Sequence, residues 1–477
     1  MNFAELVAGI ASGQITVSGI EHDSRRLRPG VVFVCVVGQH FDGHLFAEQA
    51  ITAGAAFIVG ERPLAYSNYV QVSSSRQALA DLAYAYYGDY SQSLQQIGIT
   101  GTNGKSTTAH LLASLLNRAG IATGMIGTLG VFLPQDHLLE ETHNTTPDAV
   151  VMARLLAKLK QQGAQVVTME MSSMALDQER ARNLNFAGII FTNLTQDHLD
   201  YHKTMEAYFQ AKKRLFRLPH RQAVINIDDP YGRRLAAEHP HSLTVSLTRP
   251  ARIRASEVEI RADGLTFLLE IDGRKQRLTA PLYGEYNLYN LLFALGGIAC
   301  LDLDPFAFLD GVPYLTLPEG RWTVIGHSPT VIVDYAHTPD GFEQVLKLAR
   351  QITKGKIITI FGCNGNRDRE KRPIMADVVS RYSDFIVLTS DNPAWEAPED
   401  ITAETLPGIH APHLVELDRE KAIAAAMEQA DADDLVLVLG RGHEIPFNCG
   451  EYSFPFYDPE IARRYWEKRH NSLSLCD

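Results

Sequence analysis

Residues 97–108 read Ile-Gly-Ile-Thr-Gly-Thr-Asn-Gly-Lys-Ser-Thr-Thr, an apolar strand end running into a helical pattern. Glycines there let backbone N–H groups curl around phosphate oxygens, and the helix N-terminus that follows adds partial positive charge. Lys105 is spaced to reach the β- and γ-phosphates, and the Ser106 hydroxyl can hold Mg²⁺. Gly101, Thr102, Asn103, Gly104, Lys105, Ser106 and Thr107 therefore read as a nucleoside triphosphate loop. The strict eight-residue pattern wants glycine where this chain has Ile99, and Gly101 supplies the flexibility instead. A plain Gly-rich turn is the bland alternative, disfavoured because Gly-Lys-Ser follows a strand and opens a helix. The loop points to ATP and leaves kinase, motor and ligase open.

Other candidates lie at strand ends, where α/β proteins gather their ligands. Glu170 closes the apolar run 164–169, and His198 follows the run 189–193. A carboxylate and an imidazole there could hold Mg²⁺ with Ser106 as a third ligand, although magnesium prefers oxygen and His198 is the less expected member. On spacing alone both are as readily structural, satisfying loop groups. Asp334 ends the run 330–333 at the same kind of rim. Lys212, Lys213 and Arg214 read as a solvated helix face, and Asn287 and Asn290 as readily as helix caps.

The elements that must position these residues alternate. Short β-rich apolar runs at 31–37, 357–361, 385–388 and 435–439 read as buried parallel strands. Helical spacing occupies 107–119, 148–162, 205–216, 341–351 and 419–429, so the fold class is α/β with crossover units. Polar, turn-prone 88–96 and Pro-containing 313–321 mark seams near 90 and 318. Alternating residues at 253–278, around Ala262-Asp263-Gly264 and Asp272-Gly273, predict hairpins. With 477 residues, several domains are expected. A hydrophobic share of 45% and a charged share of 21% exclude wholesale disorder. The formal charge of −12 repels polyanions, so nucleic acid is a poor first partner. The 5 cysteines form no C-x-x-C or zinc pattern and read as reduced thiols. No run approaches the ~18 apolar residues of a membrane span. A cytoplasmic monomer is the expectation.

Further motifs join the phosphate loop in order. They are Asn144-Thr145-Thr146-Pro147, Glu170-Met171-Ser172-Ser173, the run 192–202 around Asp197-His198, and Asp334-Tyr335-Ala336-His337-Thr338-Pro339. Then come Phe361-Gly362-Cys363, the run 367–373 ending Lys371-Arg372-Pro373, Asp391-Asn392-Pro393 and Gly440-Arg441-Gly442-His443-Glu444. In this order the chain resembles the Mur ligases, and closely the MurE type, UDP-N-acetylmuramoyl-dipeptide:amino-acid ligases of peptidoglycan synthesis. Asp23-Ser24-Arg25 and the run 38–43, including His40, resemble that family's uridine-nucleotide segments. The resemblance implies a UDP-MurNAc-binding α/β domain (1–90), a central P-loop ATPase α/β domain (91–317) and a C-terminal Rossmann-like amino-acid domain (318–477). It also implies the reaction: ATP phosphorylates the carboxylate of a UDP-MurNAc-dipeptide, and the amine of a free amino acid attacks the acyl phosphate.

The resemblance further implies roles. Lys105, Glu170, His198 and Lys212 would be catalytic, with Lys212 carrying a CO₂-derived carbamate that ligates Mg²⁺ beside Ser106, Glu170 and His198. Asn287, Asn290, Arg321, Asp334 and His337 would serve ATP. Ser24, His40, Asn144, Thr145, Thr146, Ser173, Gln178 and Arg180 would hold the UDP-sugar substrate, and Arg372, Asp391, Asn392, Ala394, Gly440 and Glu444 the amino acid. Enzymes adding meso-diaminopimelate typically carry Arg after Asp-Asn-Pro; here Ala394 and Trp395 follow. An unpaired, desolvated carboxylate costs several kcal/mol, so L-lysine is the expected amino acid, its ε-ammonium meeting Asp391 and Glu444 while Arg372 takes the α-carboxylate. Met174 stands where the family commonly has His, and Asn364-Gly365-Asn366 where it has Gly-Gly-Asp. These departures keep open meso-diaminopimelate, another amino acid, or a specialised pathway. A folylpolyglutamate synthase-like ligase and a non-catalytic nucleotide-binding paralogue are the rivals. The first domain argues against the former, and intact Lys105, Ser106, Glu170, His198 and Lys212 against the latter.

Overall fold

A computed structural model describes residues 1–38, 41–90, 93–134, 137–142, 144–261 and 264–473. His40 and the Ala262-Asp263 turn lie outside the described residues. Three large sheets follow one another along the chain, each flanked by helices, and Pro446–Cys449 pairs with Tyr452–Pro455 in a separate two-stranded hairpin. The first has four parallel strands in sequence order, Gly19–Glu21, Val31–Val34, Phe57–Gly60 and Tyr69–Gln71. Its second strand stops at Val34 rather than running on to 37, because Val36 donates back to Val34 and accepts from Gly43, turning the backbone out of the ladder.

The central sheet has 11 strands. At its middle, Gln95–Thr100 lies between Phe186–Phe191 and Val166–Glu170, all parallel, so the phosphate loop and Glu170 emerge at one carboxyl edge. These strands are buried on both faces apart from the exposed Gln95, which is why apolar residues dominate them. Outward from the middle the sheet turns antiparallel on both flanks. Ile253–Arg261, Gly264–Ile271 and Arg274–Ala280 form the expected hairpins.

The third sheet has 6 strands, with Thr330–Asp334 and Ile357–Phe361 both paired in parallel to Leu435–Leu439. Phe342 and Phe361 meet edge-on in its core, their centroids 5.6 Å apart. The first and central units dock through helix Ser75–Tyr87 against Ala149–Gln161, where Gln77 bonds Glu179 and Asp81 accepts from Arg182 and Asn183. The central and third units meet at the phosphate loop itself.

Candidate active site

Helix Lys105–Arg118 begins at Gly104, whose φ of +87° is the left-handed conformation glycine adopts cheaply. A Cβ there would lie 2.4 Å from Asn290 Oδ1. The loop therefore packs against helix Glu285–Cys300, where Asn287 and Asn290 are buried. They are not caps: Asn290 donates to Asn287 at 3.0 Å and accepts from Thr108, one helical turn binding the next. Lys105 Nζ donates to the Gly101 and Thr102 carbonyls at 3.0 and 2.8 Å.

Lys212 leaves the solvated face expected of it. Its side chain is 1% exposed, because helix Met205–Lys213 turns this residue inward over the Tyr208 ring, and Nζ donates to Gly101 O at 2.7 Å. Burial, reinforced by Lys105, pushes its ammonium well below the usual lysine range. Glu170 is buried and accepts from both the backbone and the hydroxyl of Thr128. His198 occupies a left-handed turn, φ +54°, beside Asp197. Burial pushes its imidazole down to about 3, so it stays neutral, and its Nδ1 is buried with no hydrogen-bond partner among the described residues. Among the described residues no three His, Cys, Asp or Glu side chains form a ready-made metal cluster. A divalent cation here would have to draw on other donor types.

A cavity of about 730 Å³ brings much of the expected constellation together. Its walls include the phosphate loop, Glu170 and His198 from the central unit, and Arg321, His337, Arg367 and Glu444 from the third. Asn144, Thr145 and Arg180 lie on the same cavity, as does Met174. Arg180 is fixed by Gln178 Oε1 and the Thr146 carbonyl, and Thr146 ties residues 170 and 172 together through its hydroxyl. Ser173 is buried against His202, away from that wall. Ser24 sits in the first unit, in a turn capped by Asp23.

The third unit's contributions differ more from expectation. Asp334 accepts from the Trp322 and Ala336 amides, so it shapes the turn that presents His337. Arg321 lies 4.1 Å from the centroid of the Tyr335 ring. Arg372 is fully buried, and its guanidinium is already engaged: Glu404 at 2.6 Å, Glu396 at 3.0 Å and the Asn364 carbonyl at 3.2 Å. It lies outside the cavity lining and has no free fork for an α-carboxylate. Ala394 is also off the lining; its left-handed backbone, φ +52°, bonds Asn448 and Gly450 of the neighbouring hairpin. Trp395 is 70% exposed, so it does not fill a pocket. Asp391 pairs with Arg441 and would meet any Cβ added at Gly440. Asn392 donates to Glu444.

Lys371 is the contribution that spacing could not reveal. It reaches from the third unit to Asp197 of the central one at 3.1 Å. Asn103 of the phosphate loop likewise donates to Asp340 at 2.9 Å, and Gln196 to Asp368 at 3.2 Å. Burial raises Asp197, but Lys371, His198 and His337 outweigh it and hold the carboxyl far below the usual range.

Comparison with known proteins agrees with this architecture. The models of the Mur ligase family catalytic domain, the Mur ligase middle domain and the Mur ligase glutamate ligase domain match residues 16–87, 99–298 and 320–442. The chain is 40% identical over 454 residues to the UDP-N-acetylmuramoyl-L-alanyl-D-glutamate–2,6-diaminopimelate ligase of Aquifex aeolicus, covering 94% of this chain and 93% of that one. It is 39% identical over 474 residues to the ligase of the same name from Geobacillus thermodenitrificans, covering 96% of each. A solved structure bearing that name superposes with a TM-score of 0.69 at 33% identity over 95% of both chains. The MurF ligase of Thermotoga maritima in complex with ADP shares the fold, with a TM-score of 0.67 at 19% identity over 95% of this chain and 98% of that one. The chain belongs to the Mur ligase family. It is an ATP-dependent amino-acid ligase of peptidoglycan synthesis.

Proposed function

We propose that this ligase adds meso-2,6-diaminopimelate to UDP-N-acetylmuramoyl-L-alanyl-D-glutamate. What carries the reading is that relatives at 40% and 39% identity, aligned over nearly their whole length, are named for that reaction. The expectation of L-lysine gives way, because it rested on Ala394, a residue off the cavity and bonded into a hairpin. A distal carboxylate still needs a cation. Among the arginines lining the cavity, Arg180 is bonded to Gln178 and Arg321 lies over Tyr335. Arg367 is exposed and has no ion-pair partner among the described residues, which suits it to that carboxylate.

In the proposed reaction, a dipeptide carboxylate oxygen attacks the γ-phosphorus and ADP leaves. Lys105 exchanges its two carbonyl partners for phosphate oxygens, offsetting charge on the transferring group. Asn287 and Asn290 flank the adenine side, and Arg180 with Asn144 and Thr145 the sugar-peptide side. Arg321 and His337 close over ATP from the third unit. The donor set fits Mg²⁺: a buried carboxylate at Glu170, a neutral His198 with an orphaned nitrogen, the Ser106 hydroxyl, and Lys212, whose neutral amine is the form that combines with CO₂. When bound, the cation would neutralise phosphate charge as the two anions approach. Phosphate release with UDP-MurNAc-L-Ala-D-Glu and a panel of amino acids tests the reading: meso-diaminopimelate should exceed lysine in kcat/KM by about 10² or more. Equal or better use of lysine would refute it.

A further inference from the structure

An amino acid at neutral pH arrives as an ammonium, which has no lone pair with which to attack a carbonyl. The site therefore needs a group that takes the proton, placed on the wall the amine approaches. Within the cavity, the third unit offers Asp334, His337, Asp340 and Glu444. Asp334 is engaged by two backbone amides and Asp340 by Asn103 of the phosphate loop. His337 donates through Nδ1 to the Tyr335 carbonyl, and burial leaves its other nitrogen a weak base, down to about 4.

Glu444 is placed differently. It stands half-buried on the cavity wall at the end of the Gly440–Glu444 loop. One carboxylate oxygen accepts from Tyr335 Oη at 3.2 Å and the other from Asn392 Nδ2 at 3.0 Å, both neutral donors that orient the group without cancelling its charge. Its charged neighbours are Asp391, Arg441 and Arg321, and Arg441 is itself committed to Asp391 and to the Glu444, Pro446 and Phe456 carbonyls.

We propose that Glu444 is the general base of the second half-reaction, an assignment that rests on the ligase reading above. The α-ammonium gives one proton to the Glu444 carboxylate. The freed lone pair forms the C–N bond at the acyl carbon, the C–O bond to phosphate breaks with its electron pair, and the leaving phosphate takes the second nitrogen proton as HPO₄²⁻. Burial, with Asp391 adding to it, pushes the Glu444 carboxyl up to about 7, which matches its proton affinity to the working pH. Arg441, Tyr335 and Arg321 act in the opposite direction.

The test compares two nucleophiles. Hydroxylamine is largely unprotonated at neutral pH and needs no base, so the wild-type enzyme with ATP and UDP-MurNAc-dipeptide should yield a hydroxamate. In Glu444→Gln, amino-acid ligation should fall by about 10² to 10⁴, while hydroxamate formation falls far less. The wild-type ligation rate should rise with pH through about 7, Glu444→Gln should lose that limb, and Tyr335→Phe, which removes a donor to the carboxylate, should move it upward. A variant whose hydroxamate and amide yields fall together, or which keeps the limb, overturns the assignment. If wild-type enzyme forms amide but no hydroxamate, the acyl phosphate reading fails instead, and the two failures are told apart.

Discussion

Replacing Lys371 by methionine keeps its length and removes its charge, leaving Asp197 buried with only the neutral imidazoles of His198 and His337 beside it. The pair lies at 3.1 Å with both side chains 7% exposed. At an effective dielectric near 20, two unit charges at this distance attract by about 5 kcal/mol, and removing one partner of a buried pair typically costs about 3–5 kcal/mol. Because the two residues belong to different units, the chain can relieve that cost by opening, which rehydrates Asp197 and pulls His337 and the third wall off the cavity. The loss should therefore appear in catalysis more than in unfolding. About 3–4 kcal/mol corresponds to a drop of roughly 10²- to 10³-fold in kcat/KM for phosphate release. Adding Asp197→Asn removes the orphaned charge and should restore the double variant to within about tenfold of wild type. Wild-type kcat/KM in Lys371→Met would refute the clasp. A double variant as impaired as Lys371→Met would show that the lysine serves phosphate rather than Asp197.

Lys105→Ala should abolish ATP turnover with an unchanged circular dichroism spectrum, since its Nζ meets only loop carbonyls. Lys212→Ala should be nearly inactive and partly rescued by formate or acetate, which can stand in for a carbamate; full activity in Lys212→Arg would contradict that role. Arg367→Ala should raise KM for meso-diaminopimelate by about 10-fold or more and leave KM for ATP unchanged. His337 titrates near 6.5 unfolded but at about 4 folded, so the unfolded chain binds the extra proton first. Its contribution to stability is intact above about 6.5 and is lost as pH falls toward 4. The melting temperature should drop across that window, and less so in His337→Asn.

The phosphate loop was legible because its chemistry is local: glycines, lysine and serine lie within one strand–helix turn, and no distant contact is needed to read them. Glu170 and His198 were legible as strand-end residues, though only the fold shows their burial and the orphaned nitrogen of His198. Lys212 looked like part of a charged helix face because periodicity says which residues share a side, not which side is covered. Lys371 and Arg372 are neighbours in sequence, yet the ~100° between successive helical residues sends one to Asp197 and the other to Glu396 and Glu404. Spacing cannot foresee a partner 174 positions away. Ala394 misled for a related reason: its motif carried the expected identity, while the hairpin that removes it from the cavity lies some fifty residues on.

The bonds from Asn103 to Asp340 and from Lys371 to Asp197 have a further consequence for economy. An acyl phosphate is hydrolysed by any water that reaches it, and each such event spends an ATP without making a peptide bond. These contacts fasten the third unit to the phosphate loop, so under the proposed reaction the wall facing the amine and the loop facing the nucleotide would move together. Under the proposed reaction, the same contacts that assemble the site would also keep water from the acyl phosphate, and so limit futile turnover.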